Sequence, residues 1–585
     1  MTFRTLVLSS LIVLASCSPQ AEKPVTFLIG VSQANLSEPW RISMTDEIQR
    51  QAALHPELRI IVADASDSLG KQIGDVEKFE GLGVDLLIIS PLESEAITPT
   101  LTRVFHSIPV IVVNRSVDDD DYTLFIGPDN ARIGQEAGRF VARTLKVTGG
   151  KVLEVLGRSG SPPTLERAEA FRQEVAHNPL IALQSPVLAN WLRDGAEDLV
   201  LERLQADDPP QVIFAHNDAM AYGAWLAAEK LGLAKHITFL GVDGLPGPRG
   251  GIEMLHSGIL DGTFLSPTGG KEAIEYALAL LRHEGEQPKK VILGTRFISQ
   301  TDSGLQKAAI VASPPTRART VGYFAASSMG SWTLHLRDSA RSALRKAGWT
   351  IVDVGKTSIL PTGLQALVVE GLDQDKADRY RRESLEADAA ARNLPVFLIG
   401  PQPASGDDGG WSLALGPDPF EEGRRAGRWM ADQNLVRILE MVGPRDMAGT
   451  AGRSEGLVQG LSEREGYPVA YRIATDGTRV GTASALAKFL ATGQTFDAVF
   501  APSEEVVFGV LDAVRGTNLS VGRSVKLVGV GDSLEVLDAL KSGAVSCLVR
   551  SPADLGGLLR NDMDQALAEP GVPRRLVTSH DVLTR

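Results

Sequence analysis

The stretch QVIFAHNDAMAYGAWLAAEKLG, residues 211–232, combines a strand, a polar turn and a helix. Four β-prone apolar residues, 212–215, run into His216, Asn217 and Asp218, and apolar residues at helical spacing follow. In open α/β sheets, small molecules bind at the carboxyl ends of the strands, where helix N–H groups are free. The stretch therefore predicts a loop that binds a hydroxyl-rich ligand, with simple capping of the helix by Asn217 or Asp218 as the alternative.

The same alternation of short apolar runs and helical stretches extends along the chain from Val25 onward. It predicts α/β architecture with a doubly wound parallel sheet and helices on both faces. The pattern restarts at Val321, after a segment that contains two adjacent prolines. Equivalent residues recur at similar offsets in the two halves: Gly30 with Gly322, Trp40 with Trp332, Pro109 with Pro395, Asp129 with Asp418. We therefore expect two tandem copies of one fold.

The first 16 residues are expected to be a lipoprotein signal peptide. Their apolar run, 6–15, follows Arg4 and is too short to span a bilayer. Leu14 to Cys17 resembles a bacterial lipobox, which implies cleavage before Cys17 and lipidation of that residue; a buried cysteine in a hydrophobic helix is the alternative. We expect a lipid-anchored protein on the periplasmic face of a bacterial membrane, with the outer membrane suggested by Ser18.

The expected organisation thus has five parts, and composition excludes several functions. The parts are the signal peptide 1–16, a lipidated tether 17–24, a first domain 25–305, a linker 306–319 and a second domain 320–585. A net charge of −13 argues against a nucleic-acid partner, and two cysteines cannot form a disulfide framework. No motif for catalysis, for a cofactor or for a metal is present, so we expect a binding protein rather than an enzyme.

Five segments in order carry a family resemblance: GVSQANLSEPWR, VVNRSV, GPDNARIG, AHNDAMAYGA and GVDG. With them the first domain resembles the periplasmic sugar-binding proteins of type I, in the ribose- and galactofuranose-binding branch of ABC importer components. The second domain resembles the same family less closely. The resemblance implies two doubly wound lobes per domain, joined by a hinge, that close over a sugar between them.

The resemblance also implies a set of ligand-binding residues: Trp40, Arg41, Asn114, Arg115, Arg167, Asn190, Trp191, Asn217 and Asp243. Arginine and tryptophan suit a sugar, because guanidinium groups reach its oxygens and the indole covers its ring. Core packing is the alternative for the two tryptophans, and a solvated helix position is the alternative for Arg167.

The second domain keeps Trp332 and Arg453 at the equivalent positions but loses most of the polar set. The replacements are Thr333 for Arg41, Pro401 for Arg115, Gly477 for Trp191, Ser503 for Asn217 and Gly531 for Asp243. Three interpretations stay open: it binds a different ligand, to which Asp476 and Asp532 contribute; it offers a partner surface; or it stabilises the first domain.

The function implied by the resemblance is capture of a sugar or related polyol and its delivery to an ABC transporter permease. The alternative is a ligand-sensing lipoprotein that signals to a membrane histidine kinase or chemoreceptor. A transcription regulator is disfavoured by the lipobox and by the lack of an N-terminal helix-turn-helix.

Overall fold

The computed structural model of the protein describes most of the chain after the leader. It covers residues 26–300 and 319–584, except for 118–119, 207, 249, 328–329, 372–375, 404–409, 445–448, 465, 467, 516, 518, 520, 522–523 and 569–573. The predicted signal peptide, Cys17, the tether and the linker as far as residue 318 lie outside the described residues. Within the described part, no helix has the length and apolar character needed to cross a membrane.

The first copy of the fold contains 13 strands and nine α-helices in the described ranges. The strands are β1 Phe27–Gln33, β2 Leu58–Asp64, β3 Leu86–Ser90, β4 Val110–Val113, β5 Leu124–Pro128, β6 Gly150–Leu156, β7 Ile181–Leu183, β8 Val187–Leu188, β9 Val212–Ala215, β10 Thr238–Leu240, β11 Gly262–Leu265, β12 Lys290–Leu293 and β13 Arg296–Ser299. The helices are α1 Pro39–Ala52, α2 Leu69–Leu82, α3 Ser94–Phe105, α4 Asn130–Thr144, α5 Pro162–Val175, α6 Arg193–Ala206, α7 Asp218–Lys230, α8 Gly251–His256 and α9 Gly270–Leu281.

These elements form two lobes, each built on its own sheet. The first sheet has the order β2-β1-β3-β4-β5-β12 and is parallel throughout. The second has the order β13-β11-β10-β9-β6-β7, with β13 antiparallel to β11. Central strands such as β4, which consists of β-branched residues only, are fully buried because helices cover both faces. The chain passes between the lobes after β5, after β11 and after β12.

The second copy repeats this plan with 12 strands and eight helices in the described ranges. The strands are β14 Arg319–Phe324, β15 Trp349–Asp353, β16 Ala366–Glu370, β17 Val396–Ile399, β18 Leu413–Gly416, β19 Ile438–Val442, β20 Val469–Ala474, β21 Ala498–Ala501, β22 Lys526–Gly531, β23 Cys547–Arg550, β24 Arg574–Val577 and β25 Val582–Thr584. The helices are α10 Ser331–Lys346, α11 Lys376–Ala391, α12 Pro419–Asp432, α13 Thr450–Glu463, α14 Arg479–Leu490, α15 Glu504–Val514, α16 Leu534–Ser542 and α17 Gly556–Ala568. The predicted α/β fold in two tandem two-lobed copies is confirmed.

The first lobes of the two copies share one continuous sheet, which no sequence pattern predicted. Strand β12 of the first copy pairs antiparallel with β24 of the second, with Val291 opposite Leu576, and this pair completes a sheet of 12 strands. One buried apolar cluster includes residues of both first lobes, among them Ile274, Val291, Leu559 and Leu576. The two copies are therefore joined through a common core rather than through the linker alone.

Charged groups line the same junction. Arg574 and Glu272, both buried, form an ion pair at 3.1 Å, and Tyr276 Oη donates to Asp562 Oδ1 at 3.0 Å. Arg575 also pairs with Asp129, the residue that caps α4 at a crossing between the lobes. The junction thus reaches the hinge of the first copy.

Candidate functional site

The first-lobe wall of the candidate site begins at the first turn of α1. Arg41 is fully buried there; its Nη1 donates to Ser90 Oγ at 2.7 Å and to Gln33 Oε1 at 3.3 Å, and its Nε lies 3.2 Å from Glu38 Oε1. Trp40 is 7% exposed, belongs to the apolar core cluster, and donates from Nε1 to Ser266 O at 3.4 Å. The Trp40 ring therefore packs in part against the core, which was the alternative interpretation.

Arg115 and Asn114 lie after β4, beside this turn. Arg115 is buried, and its Nη1 donates to Leu92 O at 3.1 Å. Burial, and to a smaller extent the positive charge of the neighbouring Arg41, lowers the pKa of Arg115 to about 9. Asn114 is half-buried with φ of 67°, a left-handed conformation that Asn tolerates better than most residues.

Glu38 and Asn35 complete the first-lobe wall, although the sequence analysis did not select them. Asn35 Nδ2 donates to Glu38 Oε1 at 2.7 Å and to Asp67 Oδ1 at 3.0 Å. Burial alone would raise the pKa of Glu38, but Arg41 and Arg115 outweigh it and the pKa lies below its usual value. Both residues sit inside the GVSQANLSEPWR segment, so the signal was present but was assigned only to its last two residues.

Arg167 begins the second-lobe wall, on the buried face of α5. It is 5% exposed, which rules out a solvated helix position. Its Nε donates to Asn130 Oδ1 at 2.9 Å, and its Nη1 donates to the carbonyl of His216. Burial lowers its pKa to about 10, against the opposing effect of Asp243.

Trp191 and Asn190 follow β8, and both adopt left-handed backbone angles, with φ of 70° and 53°. Trp191 is buried, its ring lies 5.8 Å from the guanidinium carbon of Arg167, and it packs directly on Gly157. A Cβ at position 157 would lie 2.1 Å from this ring, so only glycine leaves room for it. Asn190 is exposed.

Asn217 caps the helix, which was the alternative interpretation, and its predicted contact with a ligand stays a prediction. Its Oδ1 accepts from the Met220 N–H at 2.8 Å and so caps α7, while its Nδ2 donates to Trp191 O at 3.1 Å. The cap therefore fixes the start of the helix and also holds the segment that carries Trp191. The predicted strand, turn and helix of residues 211–232 are all present, as β9, the Asn217 cap and α7.

Asp243 stands at the turn after β10, with Asp218 behind it. Asp218 is buried; its two oxygens accept from Gly244 N at 2.8 Å and from Thr263 Oγ1 at 2.6 Å, which fixes the turn. Asp243 has φ of 122°, an unusual backbone value for a residue with a side chain. Burial, and to a smaller extent the negative charge of Asp218, raises the pKa of Asp243 well above its usual range.

The two walls approach each other in this structure. Asp67 Oδ1 of the first lobe lies 2.9 Å from Arg158 Nη2 of the second, and Glu38 is close enough to Asp243 to raise its pKa. Asp67 and Arg158 each follow the carboxyl end of a strand, β2 and β6, which is the signal that could have selected them. Asp67 and Glu38 of the first lobe thus lie close to Arg158 and Asp243 of the second.

Three buried donors of this cleft have no hydrogen-bond partner among the described residues: Nη2 of Arg41, Nε of Arg115 and Nε1 of Trp191. An unsatisfied buried donor is costly, so such groups call for acceptor atoms. Together with the carboxylates of Glu38 and Asp243, which accept, they match a small molecule whose oxygens both accept and donate. Nothing in the described part of the chain groups three or more metal-ligating side chains.

The equivalent positions in the second copy have other contacts. Arg453 pairs with the buried Glu422 at 2.7 Å. Asp532 is held by Arg550 at 2.6 Å, and Asp476 accepts from Thr478 N at 2.9 Å within its own turn. The two aspartates that could have contributed to another site therefore bind groups of the second domain itself.

Comparison with known proteins follows the division into two copies. The family model described as periplasmic binding protein domain matches residues 29–287 and 365–569. The ribose import binding protein RbsB of Bacillus subtilis is 33% identical over 247 residues, which cover 40% of this chain and 78% of the relative. The galactofuranose-binding protein YtfQ of Escherichia coli is 24% identical over 303 residues, covering 50% of this chain and 92% of the relative.

A solved structure, the Caulobacter myo-inositol binding protein bound to myo-inositol, is 26% identical. It covers 47% of this chain and 94% of its own, with a TM-score of 0.45.

Proposed function

Because the chain belongs to the family of periplasmic binding protein domains, we propose that its first domain, 25–305, captures a sugar or related polyol between its lobes. The observation that carries the proposal is the set of unpartnered buried donors, from Arg41 and Arg115 on one lobe and Trp191 on the other. A ligand that satisfies donors of both lobes at once stabilises the closed form over the open one. The nine residues selected from the sequence are its proposed contacts.

The cleft suits a neutral ligand better than a charged one. Two of its three arginines, Arg41 and Arg167, already face the carboxylates of Glu38 and Asp243, and the third, Arg115, donates to a backbone carbonyl. A neutral polyol adds hydroxyl groups that donate to the carboxylates and accept from the guanidinium groups. Such a molecule needs no counter-charge on entering a buried site.

The proposal includes delivery to an ABC importer by a lipid-anchored protein. Support comes from the name of the Bacillus subtilis relative, an import binding protein, and from the lipobox-like segment that ends at Cys17. The anchor places the protein on the periplasmic face, in the inner or the outer membrane. Labelling of cells with radioactive palmitate checks it: the full chain takes up label, and Cys17→Ser does not.

A thermal-shift screen of the full chain tests the binding site. The panel contains pentoses, hexoses in both ring forms, and polyols. A ligand at about 100 times its dissociation constant stabilises the domain that binds it by roughly 2.7 kcal/mol. We expect one class of sugar to raise the unfolding temperature, Asp243→Ala to abolish the shift, and Asp532→Ala, next to the equivalent position in the second domain, to leave it intact.

Two results would count against the proposal. If no sugar or polyol raises the unfolding temperature, the first domain does not bind a ligand of the proposed class. If the shift survives Asp243→Ala, the ligand binds elsewhere. Ligand-dependent phosphorylation of a membrane kinase that persists in a strain lacking the importer would favour signalling over import.

A further inference from the structure

The second domain differs from the first most sharply at Gly531, the position equivalent to Asp243. A Cβ added there would lie 2.3 Å from Cγ of Glu504 and 2.6 Å from its Oε1. No side chain fits at this position while Glu504 is in place. Glu504 therefore occupies the space that the equivalent of Asp243 would need.

Glu504 holds three groups at once. Its Oε1 accepts from the N–H groups of Asp532 and Ser533, at 2.8 Å and 2.7 Å, in its own lobe. Its Oε2 accepts from Ser331 Oγ at 2.5 Å, and Ser331 begins α10 in the opposite lobe. This buried carboxylate thus bridges the two lobes directly.

The equivalent residue of the first domain does not reach across. Asp218 and Glu504 are each the third residue after a strand, β9 and β21. The contacts of Asp218 lie within its own lobe, to Gly244 and Thr263. The additional methylene group of glutamate extends the carboxylate into the cleft, so one residue change converts a support of the turn into a bridge.

Other groups around the second cleft also have protein partners. Trp332 Nε1 donates to Ser551 O at 2.6 Å, a shorter version of the Trp40 contact to Ser266. Arg337 pairs at 2.7 Å with Glu370, a fully buried residue at the end of β16. The charges that a ligand would address are therefore already neutralised by the chain itself.

We propose that the second domain is closed without any bound molecule, because Glu504 fills the space of the residue equivalent to Asp243 and itself bonds to both lobes. The domain is then a fixed body that does not respond to sugar. This inference concerns the second domain alone, and it stands or falls independently of the sugar site of the first.

Distance measurement between two spin labels tests this closure. Labels at Lys356→Cys and Leu534→Cys, both exposed, report on opposite lobes of the second domain in the full chain. The chain has two cysteines of its own; Cys17→Ser removes one, and the other, Cys547, is buried. We expect one narrow distance distribution without ligand, and no change on addition of D-ribose, D-fructose or myo-inositol.

Variants of the bridge should then open the cleft. Glu504→Ala and Ser331→Ala should each add a population at longer distance. The Ser331 variant changes only an exposed helix terminus, so it keeps the test valid if the Glu504 variant fails to fold. Asp538→Ala, which removes an exposed carboxylate of α16 paired with Lys541, is the matched control and should retain the narrow distribution.

Three outcomes would overturn the proposal. The first is a broad or long distribution in the chain without bridge substitutions. The second is a change of distance on addition of any of the three sugars or polyols. The third is an unchanged short distance in both Glu504→Ala and Ser331→Ala.

Discussion

Val291 and Leu576 lie opposite each other in the antiparallel strand pair that joins the two domains. They are equivalent residues, since PKKVIL at 288–293 and PRRLVT at 573–578 occupy the same place in the two copies. On either side, Lys290 pairs with Val577 and Ile292 with Arg575. The junction is therefore a two-fold arrangement within one chain, like the isologous interface of a dimer.

The buried ion pair at this junction should matter more than a surface pair. Arg574→Ala leaves Glu272 buried without its cation, and we expect it to lower the free energy of unfolding by about 3–5 kcal/mol. Urea denaturation of the full chain measures the change. Lys541→Ala, which breaks the exposed pair with Asp538, is the control and should cost less than about 1 kcal/mol. Equal effects of the two variants would mean that the junction contributes little.

Asp562 should make stability depend on pH. Burial raises its pKa to about 6 from an ordinary value near 3.8, against the opposing hydrogen bond from Tyr276. Between these values the folded chain keeps a proton that the unfolded chain loses, so the free energy of unfolding falls as pH rises. The expected fall from this residue is about 3 kcal/mol, and Asp562→Asn should remove it.

Urea denaturation at several pH values between 4 and 7 checks this prediction for Asp562. The useful quantity is the difference in unfolding free energy between the original chain and the variant, because other titrating groups cancel in it. Parallel pH curves for the two proteins would show that Asp562 does not titrate in this way.

Gly157 should be essential to the second-lobe wall. In Gly157→Ala the new Cβ would lie 2.1 Å from the indole of Trp191, so the ring must move and the sugar site is disturbed. We expect a loss of about 1–3 kcal/mol in stability and weaker ligand binding. Gly81→Ala, in α2 with no atom within 4 Å of the added Cβ, should be neutral or slightly stabilising. Thermal unfolding and sugar titration compare the two; normal binding by Gly157→Ala would contradict the placement of Trp191.

The ion pair between Asp67 and Arg158 should slow release of the ligand. Because it joins the two lobes, it is lost when the cleft opens, and Arg158→Ala should raise the dissociation rate by up to about fivefold, the equivalent of a partly exposed pair. Stopped-flow fluorescence measures the rate. Arg193→Ala removes a pair with Asp194 inside one lobe and should leave the rate unchanged. A change in association rate alone would point to attraction of the ligand instead.

The α/β elements and the repeat could be predicted because both are local properties of the sequence. The run of residues 212–215 and the cap at Asn217 specify strand and helix over short distances. The shared sheet could not be predicted, since β12 and β24 are four residues each and their pairing depends on the relative placement of two folded domains.

The candidate site was predicted in part for a similar reason. Asp243, which follows a strand, was selected. Arg158 was missed because its pairing with Asp67 is made across the cleft, and Glu38 was missed because its role depends on its packing against Arg41 and Arg115. In the second domain, comparison of the two repeats showed only that Gly531 replaces the aspartate found at position 243. Only the geometry shows that Glu504 fills the space.

The number of sugar molecules bound per chain tests the central claim most directly. Calorimetric titration of the full chain, with the sugar identified by the thermal screen, should give one site per chain. Asp243→Asn should abolish that site, and Asp532→Asn, which changes an aspartate of the second domain paired with Arg550, should leave it unchanged. Two sites per chain, or one site that survives Asp243→Asn, would contradict a single sugar site in the first domain.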